Sequence, residues 1–147
     1  MKKIKAMLVI GILALMILAG ANTTIGCEGL TPGYWKNHTE AWYVWVPEDT
    51  LGDVFDVPSE IAGTSLLNAL KFHGGPGVAG AIRILMRHAV AALLNIESPN
   101  VDWYGTTRET YVSELQDWVN TAINSDDRHY ILDLADWLDE QNNMGLH

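Results

Sequence analysis

From Val78 to Ile96 the chain runs nineteen residues with only five side chains or gaps that favour water. On a 3.6-residue wheel, Val78, Ala79, Ile82, Leu85, Met86, Ala89, Val90, Leu93 and Ile96 cover well over half the circumference. Gly80, Arg83, Arg87 and Asn95 fill a narrower polar stripe, bordered by His88. A helix that is apolar over most of its surface must be covered by other elements, so it belongs at the centre of an all-α fold.

The rest of the chain supplies the cover. Ile61, Ala62, Leu66, Ala69 and Leu70 keep helical spacing after Ser59, predicting a helix over 59–71 that ends at the Gly74-Gly75-Pro76-Gly77 break. Thr106 and Glu109 match a capping box. The helix that follows, 106–123, carries a one-sided stripe of Tyr111, Val112, Leu115, Trp118, Val119, Ala122 and Ile123. Ser125 as N-cap, with Asp126 and Asp127 at the positive end, opens a last helix over 125–142, whose buried face is Tyr130, Ile131, Leu134, Trp137 and Leu138. Its short connection to the preceding helix predicts an antiparallel hairpin. Residues 47–58 read as a loop with Phe55 or Val57 turned inward, and Tyr43–Val46 as an extended segment ending at Pro47. The expected architecture is a small bundle of about four helices around a central apolar one, near 77–96.

Ahead of the bundle the chain reads as export machinery. Lys2, Lys3 and Lys5 precede an apolar run from Ala6 to Leu18, too short for the roughly 20 residues of a spanning helix. Ala19-Gly20-Ala21 has the small residues of a cleavage site, so residues 1–21 are expected to be a signal peptide and 22–30 a flexible leader. The single cysteine, Cys27, follows Thr24-Ile25-Gly26, a loose lipobox that makes it a candidate lipidation site; simple cleavage and an uncut tether are the alternatives. One cysteine forms no internal disulfide, although it can pair between chains. All three routes place the remaining chain outside the cytoplasm, at the cell surface or secreted.

Charge narrows the partners. Residues 1–21 hold three of the nine basic side chains and none of the eighteen acids, so the rest carries a net charge of −12. Nucleic acid and anionic lipid both demand Lys and Arg clusters that are missing here. No nucleic-acid partner is expected, and membrane contact is expected only through the signal peptide or a lipid on Cys27.

The domain itself, 31–147, opens on Thr31-Pro32-Gly33-Tyr34-Trp35-Lys36-Asn37-His38, with Trp42, Tyr43 and Trp45 close behind. Thr31 is an N-cap and Pro32 suits the first helical position, so a short helix places Trp35, His38 and Trp42 on one face, with Lys36 and Glu40 paired on the other. The opening resembles that of a group of uncharacterised exported bacterial and archaeal domains with a TPGYWKNH-type signature. The likeness continues at Glu40-Ala41-Trp42, at Leu85–Asn95 and at Leu138–Gly145. The resemblance implies extracellular placement and a shared helical fold, and brings no catalytic residue with it.

Two roles fit the aromatic motif. Exposed rings stack on sugars because they are rigid and lose little entropy. Alternatively, Trp35 and Trp42 anchor the segment onto the bundle while Asn37 and His38 hold the turn. Tyr34, Trp35, Lys36, Asn37, His38 and Trp42 are the candidate ligand-binding residues, for an extracellular polysaccharide or a surface protein. Asn37-His38-Thr39 also fits the N-glycosylation pattern, as does Asn22-Thr23-Thr24.

Signals for catalysis are thin. His38, His73, His88, His129 and His147 show no HExxH, HxH or i,i+4 spacing, and the aspartates match no calcium loop, so no metal or other cofactor is expected. There is no GxSxG, and Gly74–Gly77 lacks the following Lys of a phosphate loop. The leading expectation is a noncatalytic exported module, structural, adhesive or polymer-binding through an aromatic-rich face. The alternative is a secreted hydrolase of cell-wall or extracellular polymer, with His38 and an acid from 47–58 as its least implausible participants.

Overall fold

A computed structural model describes residues 31–101 and 108–144. The signal peptide, the leader with Asn22 and Cys27, Trp103, Tyr104, and the Thr106 and Glu109 side chains of the capping box lie outside that description. The described chain is mostly helical and contains no strand. Its elements are α1 (Pro32–Asn37), a 3-10 turn (Thr39–Ala41), α2 (Leu51–Val54), α3 (Ser59–Ala62), α4 (Leu66–Ala69), α5 (Gly77–Glu97), α6 (Arg108–Asn124) and α7 (Arg128–Met144).

α5 is the core element. Leu85, Met86, Ala89, Val90, Ala91, Ala92 and Leu93 are all fully buried, as the width of its apolar face requires. It is also long and apolar enough to cross a membrane by length and composition, but most of that stretch is buried within the protein. Its supposed polar stripe is less uniform than expected. Arg83 is exposed, whereas Gly80 and Asn95 are buried. At Gly80 the reason is steric, since a Cβ there would sit 2.0 Å from the Gly75 carbonyl oxygen. The loop before α5 thus lies directly on its first turn, helped by Gly77 at φ 67°.

α7 packs along α5, and α6 touches both. Arg128, at the start of α7, donates to the carbonyls of Gly75 and Gly77 at the start of α5. Farther along both helices, Asn142 reaches Asn95 and the His88 carbonyl. The two helices therefore run parallel. α6 and α7 are joined by residues 125–127 alone. The last helix starts at Arg128 rather than Ser125, because the Asp127 carboxylate caps it by accepting from the backbone N–H of His129 (2.8 Å) and Tyr130 (3.4 Å). Asp126, at φ 52°, makes the turn.

The expected helix over 59–71 is broken. Only 59–62 and 66–69 are helical, because residues 64–67 commit their backbone elsewhere. Leu51 N–H donates to Thr64 O, Leu66 N–H to Asp49 O and Leu67 N–H to Pro47 O, and Thr50 and Ser65 form an isolated antiparallel bridge. Ser65 Oγ then restarts the helix by accepting from Asn68 N–H. The expected loop at 47–58 likewise contains α2, in which Thr50 N–H and hydroxyl both donate to Asp53 Oδ2 at 2.8 Å. Phe55 is buried and Val57 only partly so. Tyr43–Val46 forms no strand; it bends into a turn in which Val46 N–H donates to Asp49 Oδ2.

Candidate functional site

The aromatic motif begins as its residue types dictate. Thr31 Oγ1 accepts from Tyr34 N–H at 3.3 Å, Pro32 takes the first helical position, and a helix of six residues follows. One turn is enough to turn Trp35 inward, where it is 2% exposed. Its indole N–H donates to Asn95 Oδ1 at 2.8 Å. Asn95 Nδ2 in turn donates to Asn142 Oδ1 at 3.0 Å, and Asn142 Nδ2 to the His88 carbonyl at 3.1 Å. A polar thread therefore joins the motif to α5 and α7 through the core, and each named polar atom along it has a partner. Buried amides satisfied in this way rigidify an arrangement that would be costly if a partner were missing.

Trp42 closes the motif from outside. Its indole N–H donates at 3.0 Å to the Trp35 carbonyl, one of the acceptors that a six-residue helix leaves over. Trp45 is half-buried, and its inward N–H meets no acceptor among the described residues. Tyr34 meets Trp35 edge-on at 5.1 Å and stacks on His38 at 4.3 Å. Lys36, Asn37 and His38 face solvent.

The six candidate ligand residues thus divide. Trp35 is committed to packing, Tyr34 and Trp42 are half-buried, and Lys36, Asn37 and His38 form an open rim. The expected face of Trp35, His38 and Trp42 is split by this division. Glu40 pairs with His38 rather than with Lys36, with His38 Nδ1 and Glu40 Oε1 3.0 Å apart. A hydrogen bond from its own backbone N–H, aided by His38, holds the Glu40 carboxyl below the usual range. The pair stands on the surface, with side chains 47% and 72% exposed, and no part of 47–58 joins it.

A groove of about 610 Å³ lies elsewhere, between Pro58, Ile61 and the first turns of α5, with Glu60, Arg83 and Asp126 on its walls. None of its lining comes from residues 31–45. Among the described residues, no three His, Cys, Asp or Glu side chains gather where they could hold a metal ion. His88 packs against α7 with Nδ1 3.4 Å from Asp139 Oδ1. Burial pushes its pKa below the ordinary value; Asp139 and Asp136 oppose that shift, and Arg87 adds to it.

Asn95 and Asn142 are the residues that sequence reasoning placed wrongly. Asn95 counted as part of the polar stripe and Asn142 only as the last residue of the expected final helix, yet both are 0% exposed. The one available signal was an amide close to an apolar face in each helix, alone in α5 but flanked by Gln141 and Asn143 in α7.

No protein-family model, curated protein or solved structure matches the chain.

Proposed function

We propose that the chain is a noncatalytic exported module of the cell surface or secreted space. In this reading a small helical bundle around α5 is closed on one side by the aromatic N-terminal segment. The observation that carries it is the fate of Trp35, whose ring and N–H are both consumed inside the protein. The motif then works as a clamp, and any polymer or surface partner meets rings that stay outside. The lysine-led apolar start and the likeness to exported domains support export. The acidic balance favours a neutral or cationic partner over nucleic acid.

Intact mass of the native protein tests export. Loss of residues 1–21, or a lipid on Cys27, supports it, and a cytosolic chain that retains those residues overturns it. Glycan on Asn37, which is exposed, would appear in the same spectrum. One observation favours the hydrolase alternative, namely the hydrogen-bonded His38–Glu40 pair. New reducing ends or peptide fragments released from cell-wall polymer by the wild type, and lost in His38→Ala, would establish it against the module.

A further inference from the structure

The groove beside the first turns of α5 lies at the opposite end of that helix from the clamp, which engages Asn95. Its volume of about 610 Å³ falls within the roughly 300–1,000 Å³ of small-ligand pockets. Ile61, Val78 and Ile82 give it an apolar surface, and Glu60, Arg83 and Asp126 line it as well. Among the described residues, none of these three charged side chains forms an ion pair. Arg83 lies over the Phe72 ring, with 5.2 Å between guanidinium and centroid. The walls are fixed before anything binds. Arg128 holds the Gly75 and Gly77 carbonyls, and Gly80 lets that loop lie against the helix. On the other side, Asp56 N–H donates to Asn120 Oδ1 at 3.0 Å, which ties the segment ahead of Pro58 to α6.

We infer that this groove binds a short zwitterionic peptide with apolar side chains, its carboxylate on Arg83 and its ammonium on the acids Glu60 and Asp126. The inference does not rest on the module reading above. Charge complementarity selects the ligand. A hydrocarbon chain filling the groove would strip water from three charges and pair none of them. A fatty acid would satisfy Arg83 and lay its tail against two acids. A polyanion would meet one cation and two like charges. A lone amine would leave Arg83 facing an apolar body. A ligand with both signs and an apolar middle gives each charge a partner, and the guanidinium fork suits a carboxylate while an ammonium has donors for two acids. Most lining residues are exposed, so the groove is an open trough in which a few residues of chain can lie.

The test titrates the whole chain, isotopically labelled, and follows its backbone amides by NMR. The probes are leucyl-leucine, the same dipeptide with both ends capped, and N-acetyl-lysyl-leucyl-leucyl-glutamyl amide, which carries its two charges on side chains. A bicharged probe shifts the amides of 58–61, 74–83 and 126 and leaves those of 34–42 in place. Which of the two binds tells whether the charges belong to free termini or to a longer chain. Arg83→Gln and Asp126→Asn each weaken binding about tenfold, the effect of losing one charged hydrogen bond. Asn tolerates a positive φ, so the second variant keeps its turn at φ 52°. Ala79→Leu fills the groove from an exposed helical position and abolishes binding. Melting temperatures stay close to wild type in all three variants. Binding of neither bicharged probe overturns the site, as does equal affinity for the capped dipeptide or full affinity in Arg83→Gln. A dimer that Ala79→Leu dissociates would give the groove to a second copy of the chain, and would overturn the peptide as its occupant.

Discussion

Two regions of this molecule are built from the same residue types and use them in opposite ways. In the N-terminal motif, Trp35 and Trp42 each give their N–H to a named acceptor within the protein. On the α6–α7 seam, Trp118 and Trp137 touch one another, and neither N–H meets an acceptor among the described residues. Density of aromatic residues along the sequence therefore says little about which rings are available. What decides is whether the chain folds an acceptor and a cavity onto the ring. The motif has Asn95 and a carbonyl at a helix end, and the seam offers no such acceptor among the described residues.

The largest test of that contrast is truncation on both sides. Trp35→Ala empties a buried site and removes the donor to Asn95 Oδ1, so chemical denaturation should show a loss of about 3–5 kcal/mol. Trp118→Ala removes a ring already over a third exposed, and should cost about 1 kcal/mol or less. Equal costs at the two positions would break the distinction.

The thread beneath the motif comes next. Asn95→Leu leaves the Trp35 N–H and one end of Asn142 unpaired, and should cost about 1–3 kcal/mol. Asn142→Leu should cost a similar amount by removing the acceptor of Asn95 Nδ2 and the donor to the His88 carbonyl. The double variant removes both amides at once, so its loss should fall short of the sum, as expected for residues sharing one hydrogen bond. Additive losses would mean that the two amides do not act as a unit.

That thread was also the least legible part of the chain. The long apolar stripe of α5, the inner residues Leu115, Val119, Ala122, Ile131 and Leu138 of α6 and α7, and the Thr31-Pro32 start were readable, because each depends on spacing within its own segment; Trp118 and Tyr130, expected on the buried stripes, are 36% and 45% exposed. The break at Gly63-Thr64 was not, since it follows from backbone pairing of 64–67 with residues 47–51. Asn95 escaped for the same kind of reason. On a helical wheel, an amide at the edge of an apolar face looks the same whether it meets solvent or another helix. The candidate site was half visible: the motif residues were readable in sequence, but which of them turn inward depends on partners sixty residues away.

A smaller effect separates the inner end of the thread from the motif's rim, and it is read in pH. His88, whose carbonyl ends the thread, has its pKa lowered chiefly by burial, so the native state favours the neutral ring. Above the ordinary value of 6.5 both folded and unfolded chains are neutral there, and stability is undiminished. As pH falls below 6.5 the unfolded chain takes up the proton first, and stability drops until the folded pKa is passed. Asp136 and Asp139 face the ring from α7 and Arg87 lies beside it; the acids oppose the shift and Arg87 reinforces it. Urea midpoints between pH 7.5 and 5 should therefore fall for the wild type, and fall less for His88→Gln.

The rim itself should barely respond. Lys36, Asn37 and His38 face solvent, and the His38–Glu40 pair is open to water on both sides. An exposed pair of this kind contributes little, and salt screens it. His38→Ala should thus shift the denaturation midpoint slightly at low salt and less at high salt, while Trp35→Ala stays as damaging in both. A His38→Ala loss comparable to that of Trp35→Ala, and insensitive to salt, would mean that the motif's outer edge is as much a part of the packed fold as its inner ring. The division of the six residues into clamp and rim would then be wrong.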